Sequence, residues 1–561
     1  MSNIKLMPIG GQDELGKSMY CVEVNGNIFV IDAGYRFPDS DKLGVDIMIP
    51  SFQYLKDNND RVSAIIITHG HNDVMGALPY LLKEVQGVPV YAPTLTSELI
   101  EQMIDHYERH NNVQLHMDLH RVRRNASINV NGITVEFFPV THSIPGSVGV
   151  AIDTPDGYIV YSSEFIIDFG APEGFRSDIQ KMIEIGKKGV LALLVESSYA
   201  KKNGYTSPLH KLTNLIEPVF EDAQGRMIVC SFGQNIFRTK ELVELTNKYN
   251  RKIVFYGREK YDKTNAIIRI DTNERHAIIE VDEAHLGDKD SIGKNDDDYV
   301  ILLNGSPDKI YNHICDILDG GDELLNFKKG DTVVVCSPVL PGIEMIANRA
   351  INDLYRTDAH IVVFKNKNLY SMHASVEDLK VLYQVFSPKY YFPIKGEYQH
   401  LFANALIAED MGVPKDNIVI LDNGEMIGFL DGELQTEKAF VEVDDTMIDG
   451  SGVGDVGDKV IDDRIRLSND GVVIIGLTID AQTRHIIATT DCQTRGFIYL
   501  KDYGYVVREI IEICEGIIEE MQYDHTLSIA DARNMMREQS LRYIRQETGK
   551  RPVFIAVIIE V

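Results

Sequence analysis

Apolar and polar positions alternate along the chain in blocks of distinct texture. The opening has period two: "MYCVEVNGNIFVIDAG" (19–34) holds two alternating runs about Asn25-Gly26, the signal of a β-hairpin. "NASINVNGITVEFFPVTHS" (125–143) predicts a second hairpin, which ends at His142. Shorter runs are apolar throughout. "RVSAIIITHG" (61–70), "VPVYAP" (88–93), "GYIVYSSEF" (157–165) and "VLALLVESS" (190–198) predict strands, and "GALPYLLKEV" (76–85) predicts a helix. From about Tyr205 helical and strand patterns take turns, in "HKLTNLIEPVFEDA", "RMIVCSF", "IFRTKELVELTNKY", "KIVFYG", "YVILLNG", "DTVVVCS" and "GIEMIANRAINDLYRT". That repetition is typical of a small parallel-sheet domain. Strand texture returns near Tyr390 in "YYFPIKGEY" and "MIGFLDGEL".

The pattern divides the chain into a first domain over 1–204 that resumes at 359–440, an α/β insertion over 205–358, an acidic, glycine-rich linker over 441–457 and an α/β unit over 458–561. In the last unit "GVVIIGLTID" and "RHIIATT" predict strands. "YVVREIIEICEGIIEEM" presents a helical face of Val506, Ile510, Cys514, Ile517 and Met521, and "RPVFIAVIIEV" predicts a buried terminal strand.

Four predicted strands run directly into a polar residue able to bind a metal: His69, His142, Glu164 and Glu196. Beyond the first, His69, His71 and Asp73 alternate in "THGHNDVMG" (68–76), where short side chains can converge on a cation. Imidazole and carboxylate suit zinc or manganese. A lone His-x-His is weak, because loop histidines often carry no chemistry. The next position, Val74, cannot bind a metal, so the completeness of the site is the question.

Composition narrows the setting. A chain of 561 residues implies more than one domain, and a net charge of −28 repels nucleic acid at long range. An RNA partner would therefore need a local basic channel or bound cations. No apolar run approaches the ~18 residues of a membrane span, and the N-terminal stretch lacks the pattern of a secretory signal. Six scattered cysteines without CxxC spacing imply reduced thiols and a cytoplasmic location, with no membrane partner.

"THGHNDVMG" is similar to the HxHxDH signature of the metallo-β-lactamase superfamily. With "GGQDELGKSMY" (10–20), "VIDAG" (30–34), "THSIPGS" (141–147) and "PIKGEY" (393–398), the chain resembles ribonuclease J, of the β-CASP branch, over nearly its whole length. The resemblance implies an α/β architecture: a metallo-β-lactamase αββα sandwich with an inserted β-CASP domain and a small C-terminal α/β domain. It implies metal-dependent hydrolysis of RNA, 5′-to-3′ on 5′-monophosphorylated single strands and sometimes internally, in rRNA maturation and mRNA decay. Carried over by motif, His69, His71 and His142 hold one metal, Glu164 bridges, and Asp73 with positions 74 and 395 serves the second. Asp73 is also implied in catalysis.

Three positions depart from the motif. Val74 and Lys395 replace histidines, and Glu164 replaces an aspartate. One divalent ion, zinc or manganese, is therefore expected, with an impaired second site. Two readings of Lys395 stand open: its ammonium pairs with Asp73 or Glu164 in place of the second cation, or it points to solvent.

The RNA-handling loops also resemble the family's, with changes. Gln234, Asn235 and Arg238 match a Ser-Asn-x-x-Arg phosphate segment with Gln234 for serine; an N-cap and a surface arginine are the plainer reading. In "NLYSMHASVED" (368–378) Ser371 matches a phosphate contact and His373 a general acid or orienting group, while Leu369 and Met372 replace a histidine and a glycine. "NGSPDK" (304–309) departs from a glycine-rich segment. Glu196 reads as a structural carboxylate held by loop amides, and Asp32 as a brace.

These losses resemble those of the degenerate second paralogue found in some Gram-positive bacteria. Two functions follow: a weak ribonuclease, or a pseudo-nuclease subunit paired with an active ribonuclease J paralogue. The C-terminal domain is the candidate assembly element, and a homodimer is also open. A small-molecule metallohydrolase fits less well, since the insertion would lack a purpose.

Overall fold

The computed structural model describes residues 2–39, 42–256, 287, 289–294, 296–340, 342–450, 452–454, 457–498, 500–523 and 528–561. Gly257, which closes "KIVFYG", and residues 451, 455 and 456 of the predicted linker lie outside the described residues.

Residues Met1–Phe37 with Ile47–Thr446 form one compact unit. Two sheets are its centre. The first has strands in the order Glu433–Leu434, Glu425–Leu430, Asn3–Gly10, Met19–Val24, Asn27–Ile31, Val62–Ile66, Pro89–Pro93 and Asp118–Val122. The second runs Tyr390–Ile394, Val190–Glu196, Tyr158–Tyr161, Val148–Ile152, Ile133–Pro139 and Ser127–Val130. Phe29, Val22 and Phe429 of the first meet Phe137, Tyr161 and Phe392 of the second in one core. Helices Ile179–Lys187, Val376–Phe386 and Tyr398–Asp410 cover the outer face of the second sheet through Met182, Leu379 and Ala408. Helix Thr94–Asn111 packs on Pro89–Pro93 and Asp118–Val122. This is the αββα sandwich expected from the resemblance.

The insertion is a parallel five-stranded sheet, ordered Lys252–Tyr256, Tyr299–Gly305, Met227–Phe232, Thr332–Cys336 and His360–Val363, so it runs past the expected boundary at 358: the short fifth strand pairs with Thr332–Cys336 and not with the sandwich. Helices cover both faces, as a parallel sheet requires. Ile216 and Leu242 pack on one side, Ile314 and Ala350 on the other. The two-sided burial explains why these strands read as unbroken apolar runs rather than alternations.

Glu136, on Ile133–Pro139, shows how a charge is kept inside the sandwich. Its carboxylate accepts from Tyr158 Oη at 2.6 Å and Lys188 Nζ at 2.6 Å, and pairs with Lys181. Burial works against its charge, but Lys181, Lys188 and Tyr158 override it and pull its pKa from 4.5 to about 2. The folded value is depressed, so the stabilisation is present above the unfolded value and lost as pH falls through the folded one. A Glu136→Gln variant will lose about 1–2 kcal/mol in urea unfolding at neutral pH, less than the full shift implies because water screens the half-exposed Lys188 partner. The gap to wild type will close between pH 4.5 and 2. A gap that persists at pH 2 would refute the electrostatic account.

Residues Pro38–Asp46 and Met447–Val561 form a second compact unit. Inside the predicted linker, Ile448 and Asp449 pair with Val453 and Gly452. A sheet of Asp491–Arg495, Val472–Ile479 and Val553–Glu560 is backed by helices Leu500–Tyr523 and Ile529–Thr548. All five predicted face residues, Val506 to Met521, are buried. Two expectations need correction. "RHIIATT" is not a strand. Asp480 Oδ1 accepts from the amides of Gln482 and Thr483, Arg484 takes a left-handed conformation, and a single bridge joins Ile486 to Ile479. The polar "DCQTR" that follows is the paired strand. Nor is the terminal strand buried on both sides: Phe554 and Ile558 are covered, while Ile555 and Ile559 are 43% and 53% exposed. Among the described residues helices back only one face of this sheet, so continuous apolarity does not mean two-sided burial here. Among the described residues no helix is long and apolar enough to cross a membrane.

Candidate metal centre

Ends of strands from both sheets deliver the site. The chain leaving Val62–Ile66 brings His69 and His71; the one leaving Ile133–Pro139 brings His142; Tyr158–Tyr161 leads to Glu164. Single ligand atoms of these four residues all lie within 4.8 Å of one another. Glu164 Oε2 is 3.2 Å from His69 Nε2, 3.7 Å from His71 Nδ1 and 3.1 Å from His142 Nε2. The three rings stand edge to face, with centroids 4.8–4.9 Å apart.

Hydrogen bonds behind the rings aim the inner nitrogens. His142 Nδ1 donates to the Met372 carbonyl at 2.8 Å, which leaves the Nε2 lone pair facing Glu164. His71 Nε2 lies 3.3 Å from the Gln234 carbonyl, so its Nδ1 faces inward. His69 Nδ1 meets Thr68 Oγ1 at 3.1 Å, and Thr68 donates to Asp32 Oδ1 at 2.9 Å. Tyr161 donates to the other Asp32 oxygen at 2.6 Å. Asp32 thus braces the site without entering it.

The charge state suits a cation. Burial holds His69 well below the usual imidazole range and lowers His142. Burial opposes the charge on Glu164, yet Lys395 and His69 keep its carboxyl well below the usual range. Neutral imidazoles and an anionic carboxylate are the forms that ligate. Among the described residues His69 Nε2 and Glu164 Oε2 are buried without a hydrogen-bond partner. Orphaned inner atoms of this kind are what a cation would satisfy. Three imidazole nitrogens and one carboxylate therefore fit one zinc-like ion.

Lys395 does not point to solvent. Its Nζ lies 3.3 Å from Glu164 Oε1 and 3.6 Å from Asp32 Oδ2, with the residue 5% exposed. Burial works against the ammonium, but Glu164, Asp32 and Asp73 raise its pKa. Glu164 therefore divides its oxygens, Oε2 toward the imidazoles and Oε1 toward the ammonium. Asp73, on the short helix Asn72–Met75, stays outside the four-residue cluster, and its carboxyl is raised by burial and by the Glu164 charge. Val74 is fully buried.

His373 stands beside the cluster, its ring 5.8 Å from His142. Its Nδ1 is 2.8 Å from Glu196 Oε2, while Glu196 Oε1 accepts from the amides of Phe165 and Ala374. Burial opposes the charged ring, but Glu196 and Glu164 push its pKa up to about 10. It is a protonated group at neutral pH, positioned by the carboxylate read as structural.

The loop residues divide. Asn235 is an N-cap: its Oδ1 accepts from the Arg238 amide at 2.9 Å. Arg238 is not a surface residue; it is 4% exposed and donates to the Tyr370 carbonyl at 3.4 Å. Gln234 acts here through its carbonyl, and Ser371 is exposed, its amide donating to Tyr199 Oη at 3.1 Å. Leu369 and Met372 are buried in the apolar cluster of the insertion. Sequence reasoning missed Tyr199, Lys202 and Tyr370. The Lys202 ammonium sits 3.0 Å over the Tyr199 ring and 4.6 Å from that of Tyr370. The available signal was "SSYAKK", which directly follows Glu196.

The sequence matches three domain profiles: a beta-lactamase superfamily domain over 29–166, the beta-CASP domain of ribonuclease J over 224–354 and the ribonuclease J C-terminal domain over 459–561. Ribonuclease J 2 of Streptococcus pyogenes is 32% identical over 100% of both chains. The chain belongs to the ribonuclease J family. The proteins of the same name from Staphylococcus saprophyticus and Staphylococcus aureus are each 31% identical over 100% of this chain and 98% of theirs. A crystal structure of a protein of unknown function from Enterococcus faecalis matches the fold with a TM-score of 0.52 at 15% identity, covering 76% of this chain and 100% of that one.

Proposed function

We propose that this ribonuclease J-type hydrolase cleaves phosphodiesters of 5′-monophosphorylated RNA with a single divalent cation, slowly. The observation that carries the reading is the divided Glu164 carboxylate, with three imidazoles on one oxygen and the Lys395 ammonium on the other. His69, His71, His142 and Glu164 would hold the ion, and the three imidazoles favour zinc over manganese. A divalent cation there supplies Lewis acidity toward a phosphate oxygen. Lys395 adds fixed positive charge beside it. In this reading His373, held by Glu196, is the group that would give a proton to the departing oxygen. Arg238 and Ser371 are the phosphate contacts this reading assigns. The low rate follows from Val74 and Lys395: each missing electrostatic contact costs on the order of 10²–10³ in rate.

The same two substitutions favour a second reading, in which the chain supports an active paralogue in a cytoplasmic complex. The deciding experiment is turnover of 5′-monophosphorylated RNA by chain purified from a host lacking its paralogues, with zinc or manganese, beside a His71→Ala variant. Turnover that chelation abolishes and the variant lacks establishes the hydrolase. Equal traces in both preparations would refute it and leave the subunit role.

A further inference from the structure

The C-terminal unit contains a surface cleft of about 660 Å³ whose charge runs against that of the whole chain. Arg466 comes from helix Asp458–Asp470, Arg542 and Arg545 from helix Ile529–Thr548, and Arg551 from the turn into strand Val553–Glu560. Three separate elements thus deliver four guanidiniums to one concavity. Among the described residues the cleft has one acidic lining residue, Glu538. Asp470 is nearby, but its carboxylate is engaged by the Arg551 amide at 3.0 Å.

Among the described residues the four side chains are unpartnered: none of these guanidiniums makes an ion pair or a hydrogen bond, Glu538 included. Arginines elsewhere in this unit do find partners: Arg464 pairs with Asp449 at 2.6 Å, and Arg533 donates to the Ile558 carbonyl at 3.1 Å. The chain as a whole has 84 acidic residues against 56 basic ones, so partners were plentiful. Four positive charges gathered around a single carboxylate that none of them pairs with repel one another, and an anion spanning them would remove the repulsion. Arginine's planar fork matches a phosphate with two parallel hydrogen bonds.

We propose that this cleft is a second RNA site, binding the phosphate backbone of a single strand outside the catalytic unit. The inference rests on the hydrolase acting on RNA. It answers a requirement that net charge imposes: a chain at −28 needs a local basic surface to hold a polyanion. A backbone fits better than one phosphate, because four arginines on three elements offer more positive charge than a single phosphate neutralises.

The test uses the full chain and a 3′-labelled unstructured RNA, with anisotropy followed across a salt series. A variant with Arg466, Arg542, Arg545 and Arg551 all changed to glutamine will bind about tenfold or more weakly near physiological salt, and its salt slope will flatten by about 0.7 for each phosphate that is no longer neutralised. The matching all-lysine variant will keep most of the slope while losing part of the affinity, which separates charge from misfolding. Unchanged affinity and slope in the glutamine variant would overturn the site. So would a variant that loses binding to a polyglutamate peptide but not to RNA, since the cleft would then serve an acidic protein surface. A wild-type chain that binds no RNA would overturn both this site and the hydrolase reading, whereas the first two failures leave that reading intact.

Discussion

A His142→Ala variant will bind zinc about 10²-fold or more weakly than the wild-type chain and will lose RNA hydrolysis with it. The magnitude is a floor, since losing only the group behind a ligating histidine costs 10–100-fold in affinity. His142 is the histidine nearest Glu164 Oε2, at 3.1 Å, and the one with the shortest backbone tether, 2.8 Å to the Met372 carbonyl against 3.3 Å from His71 to that of Gln234. Deleting the ring removes a ligand and frees the Met372 carbonyl that tethers the His373 loop. Two of three imidazoles and one carboxylate would remain, too few to close a tetrahedral set without more water. Equilibrium dialysis with metal quantification measures the affinity directly and does not depend on a fast enzyme. An affinity within threefold of wild type would mean that these four residues are not the metal ligands.

Parts of this centre were legible in sequence because they are local. His69 and His71 sit two residues apart, and apolar runs end at each ligand-bearing turn. Asn235 was readable as a cap for the same reason: the signal spans three positions. What local pattern could not decide is pairing across the fold: the motif left Lys395 open between Asp73, Glu164 and solvent, and gave no partner for His373. Lys395 reaches Glu164 across 231 positions, and His373 reaches Glu196 across 177. No periodicity encodes such contacts: Lys395 and Glu164 follow strands Tyr390–Ile394 and Tyr158–Tyr161, which flank Val190–Glu196 on either side in the second sheet, and His373 comes from the loop before helix Val376–Phe386. The plainer reading of Arg238, as a surface arginine, failed for a related reason. A charge at a helix start is usually solvated, and only the packed insertion buries this one. The terminal strand failed differently, since apolarity reports what can be buried and not how many faces are covered.

Lys395→Met will destabilise the metal-free chain by about 3–5 kcal/mol, the cost of leaving buried charge without its partner. The ammonium is the counter-charge nearest Glu164 Oε1 and Asp32 Oδ2, at 3.3 and 3.6 Å, and both carboxylates are buried. Methionine keeps the volume and removes the charge, so packing changes little and the electrostatic loss is isolated. With the ammonium gone, burial will raise the Glu164 pKa, and zinc will then bind in stronger competition with a proton. Urea unfolding of chelated protein measures the stability, and zinc affinity against pH measures the second effect. A stability change below about 1 kcal/mol, the range of a solvent-exposed pair, would show that the lysine does not hold the site. The converse substitution separates replacement of a cation from mere drift. Lys395→His with Val74→His returns two imidazoles beside Glu164 and Asp73. If the lysine stands in for a second ion, bound zinc will rise from one to two per chain, and turnover by on the order of 10²-fold. A stoichiometry that stays at one would mean that Lys395 occupies no cation position.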